Sequence, residues 1–537
     1  MLKYRIAFLI VVFSLLLTGC AKRGMVSGGP KDTIPPTITF STPKNFSTNF
    51  TGNFIKINFS EYIKVKDINK QLIISPPMKK APDIVPMGYA SKYITIKIKD
   101  TLQPNTTYSF NFGQSISDNN EQNPYSQFKY VFSTGSYIDS LKIGGIIRDA
   151  YDKKVDHFVS VMLYEAATFA DSTVFKQQPR YVTNTLDSLK VFTLENLKEG
   201  DYYLVALKDK NNDYKFDPKE DKIAFFKKPI RIPNDTIFRL DLFKEELAFK
   251  AEKPTQVTSN KLIMGFEGKE KAKNTKITVS KGGEQLTSVI TKYPSKDSLN
   301  IWFPKVKADS LKIHVRNGDY TKEFVTKLKE MKTKSDTLSF EAKPTGSIGF
   351  RDIFTITPSI PLSKIDNSKI KLINIKDSTA VLPFELKYLE YEKKLEIDFK
   401  KEANQRYKLT LFPGALIDFY ETPNDTLKYT LGTRSNTDFG NLRVRLENVK
   451  RFPVLLEVLD KNGKILATEY SEKETVIDFN LLDPATYTLR LIYDDNKNRK
   501  WDTGNFLKKE LPEEVFYFPT EVDVRANWDV DQVFKLE

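Results

Sequence analysis

Cysteine occurs once in the 537 residues, at Cys20, so no disulfide can close within the chain. Stability must come from buried apolar surface, not from covalent staples. Histidine occurs twice, as His157 and His314. That excludes a histidine-rich metal centre and argues against a Ser-His-Asp or Cys-His nucleophilic site. No glycine-rich loop follows a strand pattern and opens a helix pattern, so nothing suggests a phosphate cradle. A compact basic stripe with stacking aromatics is also missing, although the formal charge is +14 and the pI near 9.2. The lysines are scattered along the chain among 69 acidic residues, which describes a solvated surface and no nucleic-acid partner. Beyond the first twenty residues there is no long apolar run.

What is present is aromatic and turn-rich: 38 Phe and 25 Tyr in a chain that is 40% hydrophobic and 28% charged. Aromatics mixed with turn formers suit many short strands. The length calls for several cores, and 28% charge with 12% aromatics excludes a disordered chain.

The N-terminus is of a different kind. Lys3 and Arg5 precede residues 6–17, in which only Ser14 is polar. The run is too short to span a bilayer, which takes about 20 residues, and has the length of a signal-peptide core. Leu17-Thr18-Gly19-Cys20 follows and resembles the lipobox of bacterial lipoproteins. The resemblance implies cleavage of a signal peptide (1–19) before Cys20, acylation of Cys20, and a membrane as partner through that lipid. Residues 20–32 would be the lipidated tether, with Gly24, Gly28, Gly29 and Pro30. Ala21 is not the aspartate that favours inner-membrane retention in such lipoproteins, so the outer membrane is expected. Lys22-Arg23 stands where surface-exported relatives carry acidic residues, which points to the periplasmic face.

The mature chain reads as an all-β protein of five regions. In 33–135, Ile55, Ile57 and Phe59 alternate with polar residues, as do Ile94, Ile96 and Ile98, the pattern of strands buried on one face. Phe59-Ser60-Glu61, the run Leu102 to Tyr108 with Pro104, Asn105 and Thr106, Asp118-Asn119-Asn120 and Phe132-Ser133-Thr134-Gly135 look like bacterial Ig-like domains of the S-layer type. Such domains recur in outer-membrane lipoproteins of the Bacteroidota. Residues 345–435 read as a degenerate copy. In 140–245, Leu194, Leu197, Gly200 and Tyr202 look like a transthyretin-like or carboxypeptidase-regulatory-like sandwich, with Gly200 expected at positive φ. Residues 438–537 repeat that region: Tyr202, Asp209 and Phe216 face Tyr487, Asp494 and Trp501 at a constant offset of 285. Residues 250–340 form an unclassified β-domain. The fold expected is therefore tandem Ig-like and transthyretin-like β-sandwiches.

One constellation carries chemistry. Asp209, Asn211, Asp213, Asp217 and Glu220 occupy places 1, 3, 5, 9 and 12 of a twelve-residue loop, the spacing of an EF-hand-type calcium site. Place 6, normally glycine, is Tyr214. The second copy, Asp494, Asn496, Asn498, Asp502 and Asn505, has fewer charges and predicts weaker binding. The alternative is a set of Asx-turns with no metal, in which Phe216 and Trp501 anchor the hairpin to the core. No other cofactor is indicated. Three functions are in competition: a non-catalytic scaffold or adaptor lipoprotein with a protein partner in the outer membrane, a glycan-binding envelope lipoprotein marked by exposed aromatic pairs on one sandwich face, and an enzyme with its site in 250–340. Nothing in the sequence fixes an oligomeric state.

Overall fold

The computed structural model describes residues 32–186, 190–330 and 336–536. Cys20 and the leader lie outside the described residues. What is described is almost all β, with two single-turn α-helices, Ile68–Gln71 and Thr173–Lys176. No helix among the described residues is long and apolar enough to cross a membrane. Strand pairing stays within each of five successive sandwiches, each with its own apolar core.

In the first sandwich one sheet runs Ile38–Thr42, Phe54–Val65, Ser91–Lys97, Asp83–Val85, and the other Ile73–Ser75, Thr107–Asn111, Lys129–Ser133. Alternation puts Ile55, Ile57 and Ile94 inside against Tyr108, Phe110 and Phe132. The fourth sandwich repeats this order. Phe340–Lys343, Phe354–Pro358, Lys394–Asp398 and Glu385–Leu389 form one sheet, with Ile370–Asn374, Arg406–Leu411 and Leu427–Gly432 opposite. Its corner is built alike. The Tyr108 hydroxyl accepts the Gln103 N–H at 2.9 Å, and Thr134 Oγ1 accepts the Thr106 N–H at 3.0 Å. Tyr407 and Thr433 do the same for Glu402 (2.8 Å) and Gln405 (3.0 Å). These bonds explain the Pro-Asn-Thr-x-Tyr run: the tyrosine ring is buried, and its hydroxyl ties the preceding turn.

The second and fifth sandwiches share an eight-strand topology. A three-stranded sheet has Leu141–Asp149 between Val191–Leu197 (antiparallel) and Ile237–Leu242 (parallel). Its counterpart has Gly440–Glu447 between Val476–Leu482 and Asp529–Lys535. The other sheet runs Tyr181–Asn184, Ser160–Glu165, Gly200–Lys208, Lys222–Phe225 in one copy and Ile465–Ser471, Val454–Leu459, Ala485–Tyr493, Val515–Tyr517 in the other. One expectation is refined here. Gly200 has φ 159, essentially extended, and its counterpart is Ala485; the left-handed turn is made by Asn196 (φ 58) and, 285 residues on, Leu481 (φ 55). The terminal run 522–530 is not one strand. Left-handed Asn527 (φ 60) divides it, leaving Trp528 more than half exposed and out of the core.

Region 250–340 holds the strands Lys261–Glu267, Lys276–Lys281, Ser298–Trp302, Ser310–Asn317 and Tyr320–Lys327, whose core includes Leu262, Ile301, Phe303 and Ile313.

The sandwiches are not strung out in a line. The first meets the second through the Val182 N–H on Ser75 Oγ (3.1 Å) and Thr107 on Asp139 (2.8 Å). The second meets the third through Lys219–Glu267 (2.7 Å), and the third meets the fourth through Tyr420 on the Asn260 carbonyl (3.1 Å). The fourth meets the fifth through Arg351 on the Asn480 carbonyl (2.8 Å). The fifth then returns to the second, closing a circuit of four.

Candidate functional site at the seam of the repeated sandwiches

Both Asp/Asn loops lie at this return contact. Asp209 is buried, and its carboxylate is filled by backbone donors. Oδ1 accepts the N–H groups of Asn211 (2.9 Å) and Asn212 (2.7 Å), and Oδ2 accepts that of Tyr214 (2.7 Å). Burial pushes its carboxyl pKa up, and the N–H bonds work against that rise. Asp213 accepts from the Lys215 N–H (2.9 Å), Asp217 from the Lys219 N–H (2.9 Å), and exposed Glu220 is paired with Lys210. In the second loop Asp494 accepts from Asn498 (3.0 Å) and Arg499 (2.8 Å), Asn496 and Asn498 both donate to Asp502, and Asn505 Oδ1 caps the Lys508 N–H (2.9 Å). The carboxylates of Asp209, Asp213, Asp217 and Glu220 are thus each turned to a different partner, and in the second set Asp494 and Asp502 are likewise occupied by donors of their own loop. Among the described residues no group of three or more His, Cys, Asp or Glu side chains is placed to hold a metal ion.

The backbone says the same. Asn212 and Tyr214 are left-handed (φ 55 and 59), as are their counterparts Lys497 and Arg499 (φ 62 and 63). The repeat conserves a turn that wraps N–H groups around one buried aspartate. A second buried carboxylate staples each loop across its width, and neither was among the expected ligands. Asp221 accepts from the Lys210 (2.9 Å) and Asp217 (2.8 Å) N–H groups. Glu513 accepts from those of Asp495 (2.8 Å) and Asp502 (3.0 Å), at the same offset of 285. Burial raises the Glu513 pKa. Spacing hides the equivalence, because the acid follows Asp217 by four residues and Asp502 by eleven.

The added residues of the fifth sandwich form the seam. Phe506 is 2% exposed and sits among Phe175, Phe216, Phe225 and Phe243 of the second sandwich. Its ring stands edge-on to Phe225 at 5.1 Å. Its N–H is accepted by Glu245, Thr503 Oγ1 donates to the Lys244 carbonyl (2.7 Å), and Lys509 pairs with Asp171 (2.6 Å). Phe216 packs against Phe175 of its own sandwich at 5.5 Å and against Phe506 at 6.4 Å, and Trp501 packs against Tyr151 of the second sandwich at 4.6 Å.

A second anchor lies beside it. Arg490 is 2% exposed, bonded to Glu457 (2.7 Å) and to the Tyr151 hydroxyl (2.7 Å), with its guanidinium 3.9 Å from the Tyr151 ring centroid. Burial pulls the guanidinium pKa down, but Glu457 and the two tyrosines outweigh it and leave it raised. Tyr517 donates to the Tyr151 carbonyl at 2.7 Å.

A furrow follows the seam. One cleft of about 760 Å³ lies between Lys153, Lys208, Lys222 and Asp460, and a neighbouring one of about 510 Å³ between Arg148, Phe226, Lys228 and Leu511. Several of their cations have internal partners. Lys222 bridges Asp149 (2.6 Å) and Asp156 (2.8 Å), Lys208 donates to the His157 carbonyl (2.5 Å), and Arg148 pairs with Asp241 (2.8 Å). Among the described residues nothing here is assembled for catalysis; the seam holds two parts of the chain together.

No curated protein matches the chain. Among solved structures it aligns with surface-layer protein SbsC, domains 1–6, at 11% identity over 91% of this chain and 67% of that one, TM-score 0.15. The major pilin subunit BcpA of Bacillus cereus aligns at 10% identity over 74% and 99%, TM-score 0.14. The I9–I11 tandem of titin aligns at 9% identity over 54% and 100%, TM-score 0.13. Residues 32–134 match the family model of a bacterial Ig-like domain, and this is the sandwich whose strand order the fourth repeats.

Proposed function

We propose that the chain is a non-catalytic scaffold lipoprotein, acylated at Cys20, that holds a protein partner at the outer membrane on its periplasmic face. The observation that carries the scaffold reading is the seam itself. Phe506 and Arg490 fix two sandwiches that lie 285 residues apart in sequence, so the circuit presents a fixed arrangement of loops and sheet edges to a partner. The lipobox-like Leu17-Thr18-Gly19-Cys20 supports the anchor. The Leu194, Leu197, Tyr202 pattern and the shared eight-strand order support a transthyretin-like assignment for the second and fifth sandwiches. Two measurements test this. Fatty-acid labelling in cells is expected on the full-length chain and not on Cys20→Ser, and an unlabelled wild type overturns the anchor. Affinity capture from detergent-solubilised outer membrane is expected to return one β-barrel or transport component reproducibly; repeated recovery of the chain alone overturns the adaptor.

A further inference from the structure

The outer face of the first sandwich carries what the fold does not need. Along Phe54–Val65, every second side chain from Phe54 to Lys64 points away from the core. Phe40 pairs in register with Asn58, and Asn58 with Tyr93, so the three form one row across the sheet on that face. Phe40 is 60% exposed and Tyr93 42%, with Phe54 and Tyr62 exposed beside them. Two lysines are laid over these rings: Lys56 Nζ is 4.3 Å from the Tyr93 centroid and Lys92 Nζ 5.3 Å from that of Tyr62.

The fourth sandwich is an internal control. Its register places Glu341 opposite Thr357, and its pairing with the neighbouring strand brings Lys394 next in the row. Where the first sandwich has Phe-Asn-Tyr, its copy has Glu-Thr-Lys. The same sheet therefore forms with a wholly polar row, and exposing Phe40 and Tyr93 serves something other than folding.

We infer that this face rests on an anionic phospholipid surface, with the aromatic rings at headgroup level and the lysines on the lipid phosphates. Three observations select that occupant. Aromatics interleaved with lysine stems match the amphipathic composition of a membrane–water interface. The face is basic where it is aromatic, which complements anionic lipid. Eleven residues lie between Cys20 and Asp32, a reach of no more than about 40 Å, and the chain enters the first sandwich beside this sheet, where Thr37 and Ser60 exchange hydrogen bonds. The contacts to the second sandwich come from the opposite sheet, through Ser75 and Thr107, so the face is left free. A lipid chain and an interfacial patch are the two signals that stable, oriented anchoring takes. This inference rests on the anchor reading above, but it is measurable without the lipid.

The test uses the chain from Ala21 onward, which keeps every described sandwich, with vesicles of phosphatidylcholine alone or mixed with phosphatidylglycerol. Co-sedimentation with the anionic vesicles is expected, weakening as salt is raised. Phe40→Glu with Tyr93→Lys copies the row of the fourth sandwich; it should keep its thermal midpoint and bind about tenfold more weakly. Lys56→Ser should weaken binding about fivefold. Tyr62→Ser, on the same face, is the second probe if the double variant does not fold. Wild-type chain that ignores anionic vesicles, or a double variant that binds as well as wild type, overturns the proposal. Capture on a glycan array through Phe40 and Tyr93 with no vesicle binding overturns it too and makes the face a sugar platform. Fatty-acid label on the full-length chain without vesicle binding sinks the face and leaves the anchor; vesicle binding without label does the reverse.

Discussion

A buried carboxylate surrounded by backbone N–H groups is the recurring residue-scale device of this molecule. Asp118 is the clearest case, accepting from Glu121 (2.7 Å), Gln122 (2.9 Å) and Asn123 (2.8 Å). Burial alone would raise its pKa, but these bonds outweigh it and hold the carboxyl below the usual aspartate value. A carboxyl whose folded pKa is depressed adds stability above its unfolded pKa, about 3.9, and that stability is lost as pH falls through the folded value. The thermal midpoint of the wild type should therefore drop on acidification below about pH 4. Asp118→Asn should start about 1–3 kcal/mol lower at neutral pH and show a flatter acid limb. Thermal melts from pH 7 to pH 3 check both. The loop aspartates give a second prediction. Because Asp209 and Asp494 already have their oxygens on backbone donors, millimolar calcium should leave the midpoint unchanged and release no heat in a calorimetric titration. Asp221→Ala should instead destabilise by about 1–3 kcal/mol, since it strands two N–H groups. A calcium-dependent rise in midpoint would show that the loops rearrange into a cation cage.

At the scale of elements, the strand Ser160–Glu165 and its copy Val454–Leu459 are buried on both faces. This accounts for Val161-Met162-Leu163-Tyr164 and Val454-Leu455-Leu456, runs too apolar for a strand with one wet face. One face fills its own sandwich and the other meets the seam. The single-face strands were legible because their period is two: Ile55, Ile57 and Phe59 in the first sandwich, Leu311, Ile313 and Val315 in the third. The repeat was legible because its offset is constant. The seam was not. Phe506 sits in a stretch without periodicity, and its partners Phe175 and Phe225 are hundreds of residues away, a separation that no local pattern reports. Asp221 and Glu513 escaped because an insertion moved one of them out of register. Asp209 and its neighbours were ambiguous in sequence because short acids at odd places suit both a cation and a turn, and the direction of the N–H groups is not written in the spacing. Truncating Phe506 to alanine should cost about 3–5 kcal/mol of docking energy. Since each sandwich keeps its own core, the loss should appear in hydrogen exchange as faster amides around 171–176 and 216, with the strands of the third sandwich unchanged. Uniformly faster exchange would mean that Phe506 supports one global core instead.

At the scale of the whole molecule, the return contact decides between a flexible string and a closed body. Four sandwiches joined only end to end would rock about short links. Here the fifth is tied back to the second by an aromatic plug and by a buried ion pair that reaches across to Tyr151. A buried pair is weak evidence for stability but good evidence for geometry, because it tolerates only the arrangement that satisfies both charges. Breaking it from one side should therefore be severe. Arg490→Leu leaves Glu457 buried and unpaired, at a cost of about 3–5 kcal/mol, whereas Arg490→Leu with Glu457→Leu removes both charges and should recover much of that loss. Combining Phe506→Asp with Arg490→Leu and Glu457→Leu removes both anchors while sparing the five cores. Small-angle scattering should then record a larger radius of gyration and maximum dimension with an unchanged circular dichroism spectrum. Unchanged dimensions would mean that the links between successive sandwiches, and not the seam, set the shape.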